Sequence, residues 1–353
     1  MGADEYRIGP EKGVIHLALG AVVNALWDMW AKSEGKPVWQ LVGEFTPEEF
    51  VRCIDFRYIT DAITPPEAIE LLREMDEGKK ERLEKVKRSQ AVPAYTTSPG
   101  WLGYSDDKMR DLLHETIDMG FKHFKLKVGG NLQQDQHRLK LSRDVIGYDK
   151  GNILMVDANQ VWDVNQAIEY VKALAEFKPW FIEEPTSPDD VLGHATIRKA
   201  LKPFNIGVAT GEHCQNRVVF KQLLQAQAID VCQIDACRLG GVNEALAVML
   251  MAKKFKVPIV PHSGGVGLTE YTQHLATIDY LCVSGKLSIL EHIDSLHNTV
   301  KHPTTLKDGY FVTPLEPGYS VEYTTDAIET YRFPDGRFWK SDAAKPILQG
   351  IKE

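Results

Sequence analysis

WFIEEPTSPDD, residues 180–190, passes from an apolar, strand-like run into two carboxylates and a proline. An ionised carboxylate loses its hydration when it enters a protein, so Glu183 and Glu184 need either solvent or a cation. Adjacent residues of a strand point to opposite faces, so only one of the two can face a given site. We assign Glu183 to that site and expect Glu184 to face the helix layer or a neighbouring cation.

This run is one of eight β-rich runs that alternate with amphipathic helical stretches between residues 92 and 292. The eight runs are VPAYTTS, FKHFKLKV, NILMVDAN, WFIEEP, IGVATGEH, DVCQIDAC, VPIVPHSG and LSILEH. Such alternation is typical of successive βα units with a parallel sheet, and eight is the strand number of a TIM barrel. The predicted fold class is therefore α/β, with a TIM-type barrel over residues 92–292. Residues 1–91 are predicted to be mostly helical, and residues 293–353 form a tail that packs on those helices.

One ionisable side chain ends seven of the eight runs: Lys127, Asp157, Glu183, Glu212, Asp235, His262 and Glu291. Successive members lie 23–30 residues apart, close to the roughly 30 residues of one βα unit. Taken singly, an acid at such a position is more often a loop residue or a helix cap. Because the carboxyl ends of all barrel strands face one mouth, the recurrence predicts a single site.

Asp157, Glu183 and Glu212 end three consecutive runs of this series. Three carboxylates that lie so close repel one another unless a divalent cation offsets their charge. Oxygen ligands without Cys or His favour a hard ion, and Mg²⁺ keeps room in its shell for water or substrate oxygens. The sequence therefore predicts a Mg²⁺ site.

Two further pairs are candidates for proton transfer. Lys125 and Lys127 alternate with an apolar residue, so both ammonium groups leave the same face of one strand. Neighbouring cations lower a lysine pKa, which would make one of the two available as a base. Asp235 and His262 end neighbouring runs, so the carboxylate can orient the imidazole as an acid or a second base. On spacing alone, Glu291 is equally well a loop acid.

Bulk composition excludes several classes of partner. The formal net charge of −8 over 353 residues argues against nucleic acid, because phosphate binding requires a positive surface. The most apolar segment, VIHLALGAVVNALW, is shorter than a bilayer crossing and contains His16 and Asn24, so no membrane partner is expected. Five scattered cysteines without a CxxC pair favour a reducing, intracellular compartment.

FKLKV, MVDAN, FIEEP, TGEHC, QIDACR and PHSGGVG, in this order and at these spacings, resemble the mandelate racemase subgroup of the enolase superfamily. Within it, the stretches IDFRYIT, WLGYSDD and HSGGVGL are similar to the L-fuconate dehydratases and their animal mitochondrial counterparts. The resemblance implies a modified TIM barrel, (β/α)7β, with a capping domain built from both chain termini. Residues 1–91 would be the remaining helical part of that domain, and residues 293–353 would return to it. The amino-terminal part of the capping domain, with its lid loop, is expected to be missing.

The same resemblance implies roles for the candidate residues. Asp157, Glu183 and Glu212 would bind Mg²⁺, Lys127 would be the base, and Asp235 with His262 would supply the acid. Lys125 and Glu291 would complete the catalytic set and contact the substrate. Asn159 would add a polar contact, because it is expected on the same strand face as Asp157.

The implied reaction is dehydration of a small acid sugar, L-fuconate to 2-keto-3-deoxy-L-fuconate, by α-proton removal and loss of water. An acid-sugar racemase or epimerase is an alternative, since Lys127 and His262 could act as bases on opposite faces. A catalytically impaired short isoform with a binding or regulatory role and a Schiff-base aldolase that uses Lys127 also stay open. We expect a homo-oligomer. The family implies a mitochondrial location, although no targeting peptide is visible.

Overall fold

Five helices precede the first strand in this computed structural model, which describes residues 11–88, 92–148, 151–293 and 297–350. They are α1 (Gly13–Ser33), α2 (Val38–Gly43), α3 (Pro47–Arg52), α4 (Pro65–Asp76) and α5 (Lys79–Arg88). Thr46 and Thr64 begin α3 and α4 with capping boxes, in which the threonine and a glutamate three residues later bond each other's backbone amides. These short helices are therefore defined by local sequence.

Helix α1 packs on the rest of the chain through buried polar contacts. His16 Nε2 lies 2.7 Å from Glu244 Oε2, and Asn24 Nδ2 donates to the Ala236 carbonyl at 3.0 Å. A Cβ atom on Gly20 would stand 2.4 Å from the Leu239 carbonyl oxygen, so this close approach requires glycine. The helix is longer than the apolar segment predicted from the sequence, and by length and composition alone it could cross a membrane. Its polar contacts favour a packed helix, and the expected lack of a membrane partner stays a prediction.

Seven parallel strands form the sheet in the order β6-β5-β4-β3-β2-β1-β7. They are β1 (Val92–Thr96), β2 (His123–Lys127), β3 (Ile153–Asp157), β4 (Phe181–Glu183), β5 (Gly207–Thr210), β6 (Val231–Cys232) and β7 (Leu290–His292). The intervening helices are α6 (Asp106–Asp118), α7 (Leu132–Ile146), α8 (Val164–Ala173), α9 (Val191–Leu201), α10 (Arg217–Gln225), α11 (Val242–Phe255) and α12 (Leu268–Ile278). A hairpin of β8 (Leu306–Lys307) and β9 (Tyr310–Phe311) pairs antiparallel with β1, which makes the sheet mixed. The predicted α/β class is confirmed.

The seventh predicted run, VPIVPHSG, differs from the other runs. Ile259 forms an isolated parallel bridge with Cys232 of β6, and the amides of Val260 and His262 donate to the same neighbouring segment. Within the described residues, no ladder joins this run to β7. Since alternate amides of a strand point to opposite neighbours, the amide position of residue 261 faces away from β6, and Pro261 has no N–H to donate there. Closure of the sheet into a barrel stays a prediction.

The two faces of the sheet have separate apolar cores. The larger core joins the outer face to the surrounding helices. A smaller cluster covers the inner face with one residue from each of several strands: Tyr95, Met155, Phe181, Ala209, Val231, Val260 and Ile289. Met155 precedes Asp157 by two positions on β3, so strand alternation places the carboxylate on this inner face, above the small cluster.

The carboxyl-terminal segment contacts the first helices. The Trp39 indole donates to the Pro314 carbonyl at 2.7 Å, and the amides of Val38 and Tyr319 bond Gly318 O and Asp28 Oδ1 at 2.9 and 2.7 Å. Helices α13 (Thr325–Tyr331) and α14 (Lys345–Gly350) end the described chain. The division into domains at residues 91 and 292 stays a prediction.

Candidate active site

The carboxyl ends of β2, β3 and β4 bring three predicted site residues side by side. Lys127 pairs in register with Asp157, and Asp157 pairs with Glu183. Each of the three is the last residue of its strand. The remaining members of the series, Glu212, Asp235, His262 and Glu291, reach the same end of the sheet, as the distances below show. The structure therefore brings together all seven strand-end residues.

Lys125 lies at the centre of this group. Its Nζ is 2.8 Å from Glu183 Oε2, 3.2 Å from Glu291 Oε1 and 3.7 Å from Asp157 Oδ2. Burial lowers the pKa of this ammonium group, but the Glu183 and Glu291 carboxylates outweigh burial and raise the pKa well above its ordinary value. Lys125 is therefore not the lysine of the pair whose pKa is lowered, because carboxylates surround it.

Lys127 is the more accessible lysine of the pair. Its side chain is 13% exposed, against 1% for Lys125, and its Nζ lies 2.5 Å from Asp157 Oδ2. The indole ring of Trp101 stands 5.4 Å from the same nitrogen. A base must come within hydrogen-bond reach of the proton that it removes, so Lys127 is the better candidate of the two.

Glu183 supplies a test of whether the carboxylates fit a metal ion. Its Oε2 accepts from Lys125, but its buried Oε1 has no hydrogen-bond partner among the described residues. Burial and the nearby Asp157 carboxylate raise the pKa of Glu183 to about 8. A buried carboxylate oxygen without a donor is rare in proteins and is suited to ligate a cation. The donor set of Asp157, Glu183 and Glu212 therefore fits a hard divalent ion, although its role as a ligand set stays a prediction.

A second group of donor atoms adjoins this set. The ligand atoms of Glu184, Glu212 and His213 all lie within 4.8 Å of one another. The buried Glu184 carboxylate is 2.7 Å from His213 Nδ1 and accepts from Gln160 Nε2 at 2.8 Å. Strand β4 ends at Glu183, and Glu184 has a left-handed φ of 40°. Because the strand ends at Glu183, strand alternation does not apply to Glu184. Its side chain bonds residues of the loops after β3 and β5, and not the helix layer.

Sequence reasoning missed His213 and Gln160 as neighbours of the site. His213 directly follows Glu212 in TGEH, and Gln160 follows MVDAN. The detectable signal was a further polar side chain one residue after Glu212 and three residues after Asp157.

Asp235 and His262 form the predicted pair. His262 Nδ1 lies 2.8 Å from Asp235 Oδ2, and the other carboxylate oxygen accepts from the amides of Cys237 and Arg238 at 2.7 and 3.0 Å. Burial lowers the pKa of His262, but the hydrogen bond to Asp235 and the charges of Glu291 and Glu212 raise it to about 9. A fixed carboxylate thus keeps the imidazole protonated and able to donate a proton.

Glu291 connects the lysine side of the site to the histidine side. Its Oε1 contacts Lys125, while its Oε2 accepts from the Ser263 amide at 3.2 Å and lies 4.0 Å from His262 Nε2. Burial raises the pKa of Glu291, but Lys125 and His262 lower it to about 2. The residue is therefore part of the buried charge cluster. A loop acid exposed to solvent would have none of these contacts.

Asn159 lies beyond the end of β3 and not on it. Its φ of 45° is left-handed, and its backbone amide donates to Asp157 Oδ1 at 2.9 Å. The premise that it shares the strand face of Asp157 is wrong, because the strand ends two residues earlier. Its contact with a substrate stays a prediction.

The profile of the family "Enolase C-terminal domain-like" matches residues 108–327. This range contains the seven strand-end residues and both loops that carry Glu184 and His213.

Two relatives are similar over almost the whole chain. L-galactonate dehydratase from Hypocrea jecorina is 65% identical over 348 residues, which cover 98% of this chain and 77% of the relative. Mitochondrial enolase superfamily member 1 from Homo sapiens is 55% identical over 335 residues, covering 94% of this chain and 75% of the relative. The crystal structure of the human protein, aligned at 54% identity over the same shares of the two chains, superposes with a TM-score of 0.91.

A more distant solved structure is L-talarate/galactarate dehydratase from Salmonella typhimurium LT2, liganded with Mg and L-lyxarohydroxamate. It is 26% identical, covers 90% of this chain and 67% of that chain, and has a TM-score of 0.69.

Proposed function

The chain belongs to the enolase superfamily, and from that premise we propose that it is a Mg²⁺-dependent sugar-acid dehydratase. The observation that carries the proposal is that both candidate proton-transfer groups adjoin the three carboxylates. Lys127 lies 2.5 Å from Asp157, and His262, which is paired with Asp235, lies 3.4 Å from Glu212. Such an arrangement can remove a proton α to a carboxylate and return a proton to a leaving hydroxyl group. The names of two relatives, L-galactonate dehydratase and L-talarate/galactarate dehydratase, support the same reaction class.

Each residue has one step in the proposed reaction. Lys127 accepts the proton from C2 of the sugar acid. His262 gives its proton to the hydroxyl group that leaves from C3, and Asp235 holds the imidazole in the orientation for this transfer. The resulting enol takes up a proton at C3 and becomes a 2-keto-3-deoxy acid. Mg²⁺ bound by Asp157, Glu183 and Glu212 would supply the Lewis acid that stabilises the negative charge on the substrate carboxylate.

In this proposal, Lys125 and Glu291 bind the substrate. The Lys125 ammonium and the Glu291 carboxylate lie 3.2 Å apart in the buried centre of the site. A cation at this depth favours the charge that develops on the substrate as the α-proton leaves. We assign both residues to substrate binding and orientation, with Asn159 as a further polar contact at the rim.

The proposed fold is a (β/α)7β barrel with a helical cap. The sheet order and the bridge between Ile259 and Cys232 support closure. In a closed barrel the run at residues 257–264 would lie between β6 and β7, which brings His262 next to both Asp235 and Glu291. The hydrogen bond from His262 to Asp235 supports this placement.

The substrate is proposed to be a six-carbon aldonic acid of L-galacto configuration. L-fuconate, expected from the sequence, and L-galactonate, the substrate in the name of the Hypocrea jecorina relative, differ only at C6. L-fuconate has a methyl group there, and L-galactonate has a hydroxymethyl group. Both share the C2 and C3 centres at which the reaction takes place.

The compartment, the oligomeric state and the partners expected from the sequence stay predictions. The animal relatives are named as mitochondrial, which supports the same compartment for this chain. The homo-oligomer, the small acid-sugar partner and the lack of a nucleic-acid partner are part of the proposal.

The experiment is an assay for 2-keto-3-deoxy acid formed from L-galactonate, L-fuconate and a panel of other sugar acids, with Mg²⁺ and with EDTA. The proposal predicts Mg²⁺-dependent product from at least one six-carbon aldonate. Recovery of an epimerised sugar acid without keto acid would instead support the racemase alternative. A folded protein that binds Mg²⁺ but converts none of the panel would support the impaired isoform.

A further inference from the structure

A pocket of about 290 Å³ with polar and apolar lining residues opens beside the candidate site. The residues that line it and matter here are Leu17, Pro188, Asp189, His213, Gln215 and Arg238. They come from helix α1 and from the loops that follow β4, β5 and β6, at the same end of the sheet as the site. None of the seven strand-end residues lines this pocket, so it is a compartment distinct from the place of the chemistry.

Two walls of the pocket contact the site directly. His213 Nδ1 lies 3.2 Å from Glu212 Oε1, and the backbone amide of Arg238 donates to Asp235 Oδ1 at 3.0 Å. A substrate whose carboxylate binds the Mg²⁺ held by Asp157, Glu183 and Glu212 can therefore extend its remaining carbons past Glu212 into the pocket.

The polar side chains of the pocket have free hydrogen-bonding groups. His213 is fixed through Nδ1 by Glu184 and Gln160, which leaves Nε2 for a ligand. The side chains of Asp189, Gln215 and Arg238 form no hydrogen bond or ion pair within the described part of the chain. Together they offer a carboxylate acceptor, an amide that both donates and accepts, and a guanidinium donor.

The charges in the pocket indicate what kind of group it fits. One guanidinium and one carboxylate offset each other, so a second anionic group would meet repulsion from Asp189 as well as attraction to Arg238. A hydroxyl group can donate to Asp189 and accept from Arg238 or Gln215 at the same time. Leu17 and Pro188 provide apolar contacts for the carbon atom that bears this hydroxyl.

On the basis of the proposed function, we propose that this pocket binds the terminal hydroxyl group of a six-carbon aldonate and thereby selects L-galactonate over L-fuconate. Asp189 and Arg238 are exposed in the free pocket and are therefore hydrated. The C6 hydroxyl of L-galactonate replaces the hydrogen bonds of the water that it displaces, whereas the methyl group of L-fuconate displaces the water without replacing them. L-fuconate, with a methyl group at C6, would leave Asp189 and Arg238 without that partner. The pocket therefore sets specificity and takes no part in proton transfer.

The test measures kcat/KM for both acids in the unmodified chain and in Asp189→Ala and Arg238→Ala, with Asp111→Ala and Arg110→Ala as exposed controls on helix α6. We expect each pocket variant to reduce the preference for L-galactonate by about tenfold, the effect of losing one hydrogen bond. The control variants should keep the preference. An unchanged ratio in both pocket variants would overturn the inference, since loss of stability lowers both rates together.

A binding measurement separates failure of the inference from failure of the proposed function. The equilibrium binding of both acids to Lys127→Ala in the presence of Mg²⁺ needs no turnover. Tighter binding of L-galactonate that is lost when Arg238→Ala is added supports the pocket, even if the unmodified chain forms no keto acid. Equal binding of the two acids to Lys127→Ala overturns it, whether or not either acid is dehydrated.

Discussion

The imidazole Nδ1 of His262 lies 2.8 Å from Oδ2 of Asp235, while two backbone amides hold the other oxygen of the same carboxylate. The backbone amides of the loop after β6 therefore fix the Asp235 carboxylate independently of His262. The fixed carboxylate in turn sets the orientation of the imidazole. In the proposed reaction, Asp235 is a positioning residue and His262 is the group that contacts substrate.

Asp235→Asn should keep the fold and lose activity. The amide cannot favour the protonated imidazole as the carboxylate does, so kcat should fall by about 10²–10⁴-fold, the range for losing a general acid. KM should change little, because Asp235 does not contact substrate. The measurement is steady-state kinetics across pH beside Asp111→Asn as an exposed control. A variant with unchanged kcat would show that His262 is not the acid.

Glu183→Gln should weaken Mg²⁺ binding. The substitution removes the charge of the carboxylate whose Oε1 has no donor within the described residues. We expect the dissociation constant for Mg²⁺, measured by calorimetry without substrate, to rise by at least about tenfold. Glu316→Gln, on an exposed position, should bind as the unmodified chain does. Equal Mg²⁺ affinity in the two variants would place the ion elsewhere, and the group of Glu184, Glu212 and His213 would be the next candidate.

Glu244→Ala should destabilise the chain, because Glu244, on helix α11, joins α1 to α10. Its carboxylate contacts His16 Nε2 at 2.7 Å and accepts from Arg217 Nη1 at 3.1 Å and from the Gly240 amide at 2.6 Å. Removal would leave the Gly240 amide without its acceptor and leave Arg217 with Glu11 and Asp55 as its remaining partners, at a cost of about 1–3 kcal/mol in the free energy of unfolding. Urea unfolding measures the change, with Glu316→Ala as control. A cost below about 1 kcal/mol, the value typical of an exposed pair, would show that the contact is not structurally important.

Asp279→Asn should reduce the pH dependence of stability. Burial raises the pKa of Asp279 to about 7, against the opposing effects of Ser284 and Lys253. A folded-state pKa above the unfolded value favours folding fully below the unfolded pKa of roughly 4, and this contribution is lost as pH rises through about 7. The unmodified chain should therefore lose more stability between pH 5 and pH 8 than Asp279→Asn. Thermal unfolding at several pH values measures this difference. Parallel curves for the two proteins would contradict the assignment.

The positions of the strand-end residues could be predicted because a repeated βα unit places the same position of each repeat at the same end of the sheet. Lys127, Asp157 and Glu183 are adjacent in register for that reason. The prolines of the seventh run were visible in the sequence, and they explain why residues 257–264 form a bridge and not a ladder.

Other features depend on three-dimensional neighbours that spacing does not give. The pKa of Lys125 is raised by glutamates from β4 and β7, which are distant in sequence. Glu184 bonds His213 because the backbone turns into a left-handed conformation directly after β4. Strand alternation cannot anticipate such a turn, so the residues beyond each strand end were the least predictable part of the site.

The most direct test of the central claim follows L-galactonate and L-fuconate by NMR in D₂O with Mg²⁺, using Lys127→Ala and an EDTA-treated sample as controls. If Lys127 removes the C2 proton and His262 assists loss of the 3-hydroxyl, the product is a 2-keto-3-deoxy acid with one deuterium at C3, and both controls give none. Recovery of sugar acid that retains all its hydroxyl groups and carries deuterium at C2, or equal product from Lys127→Ala, would contradict the account.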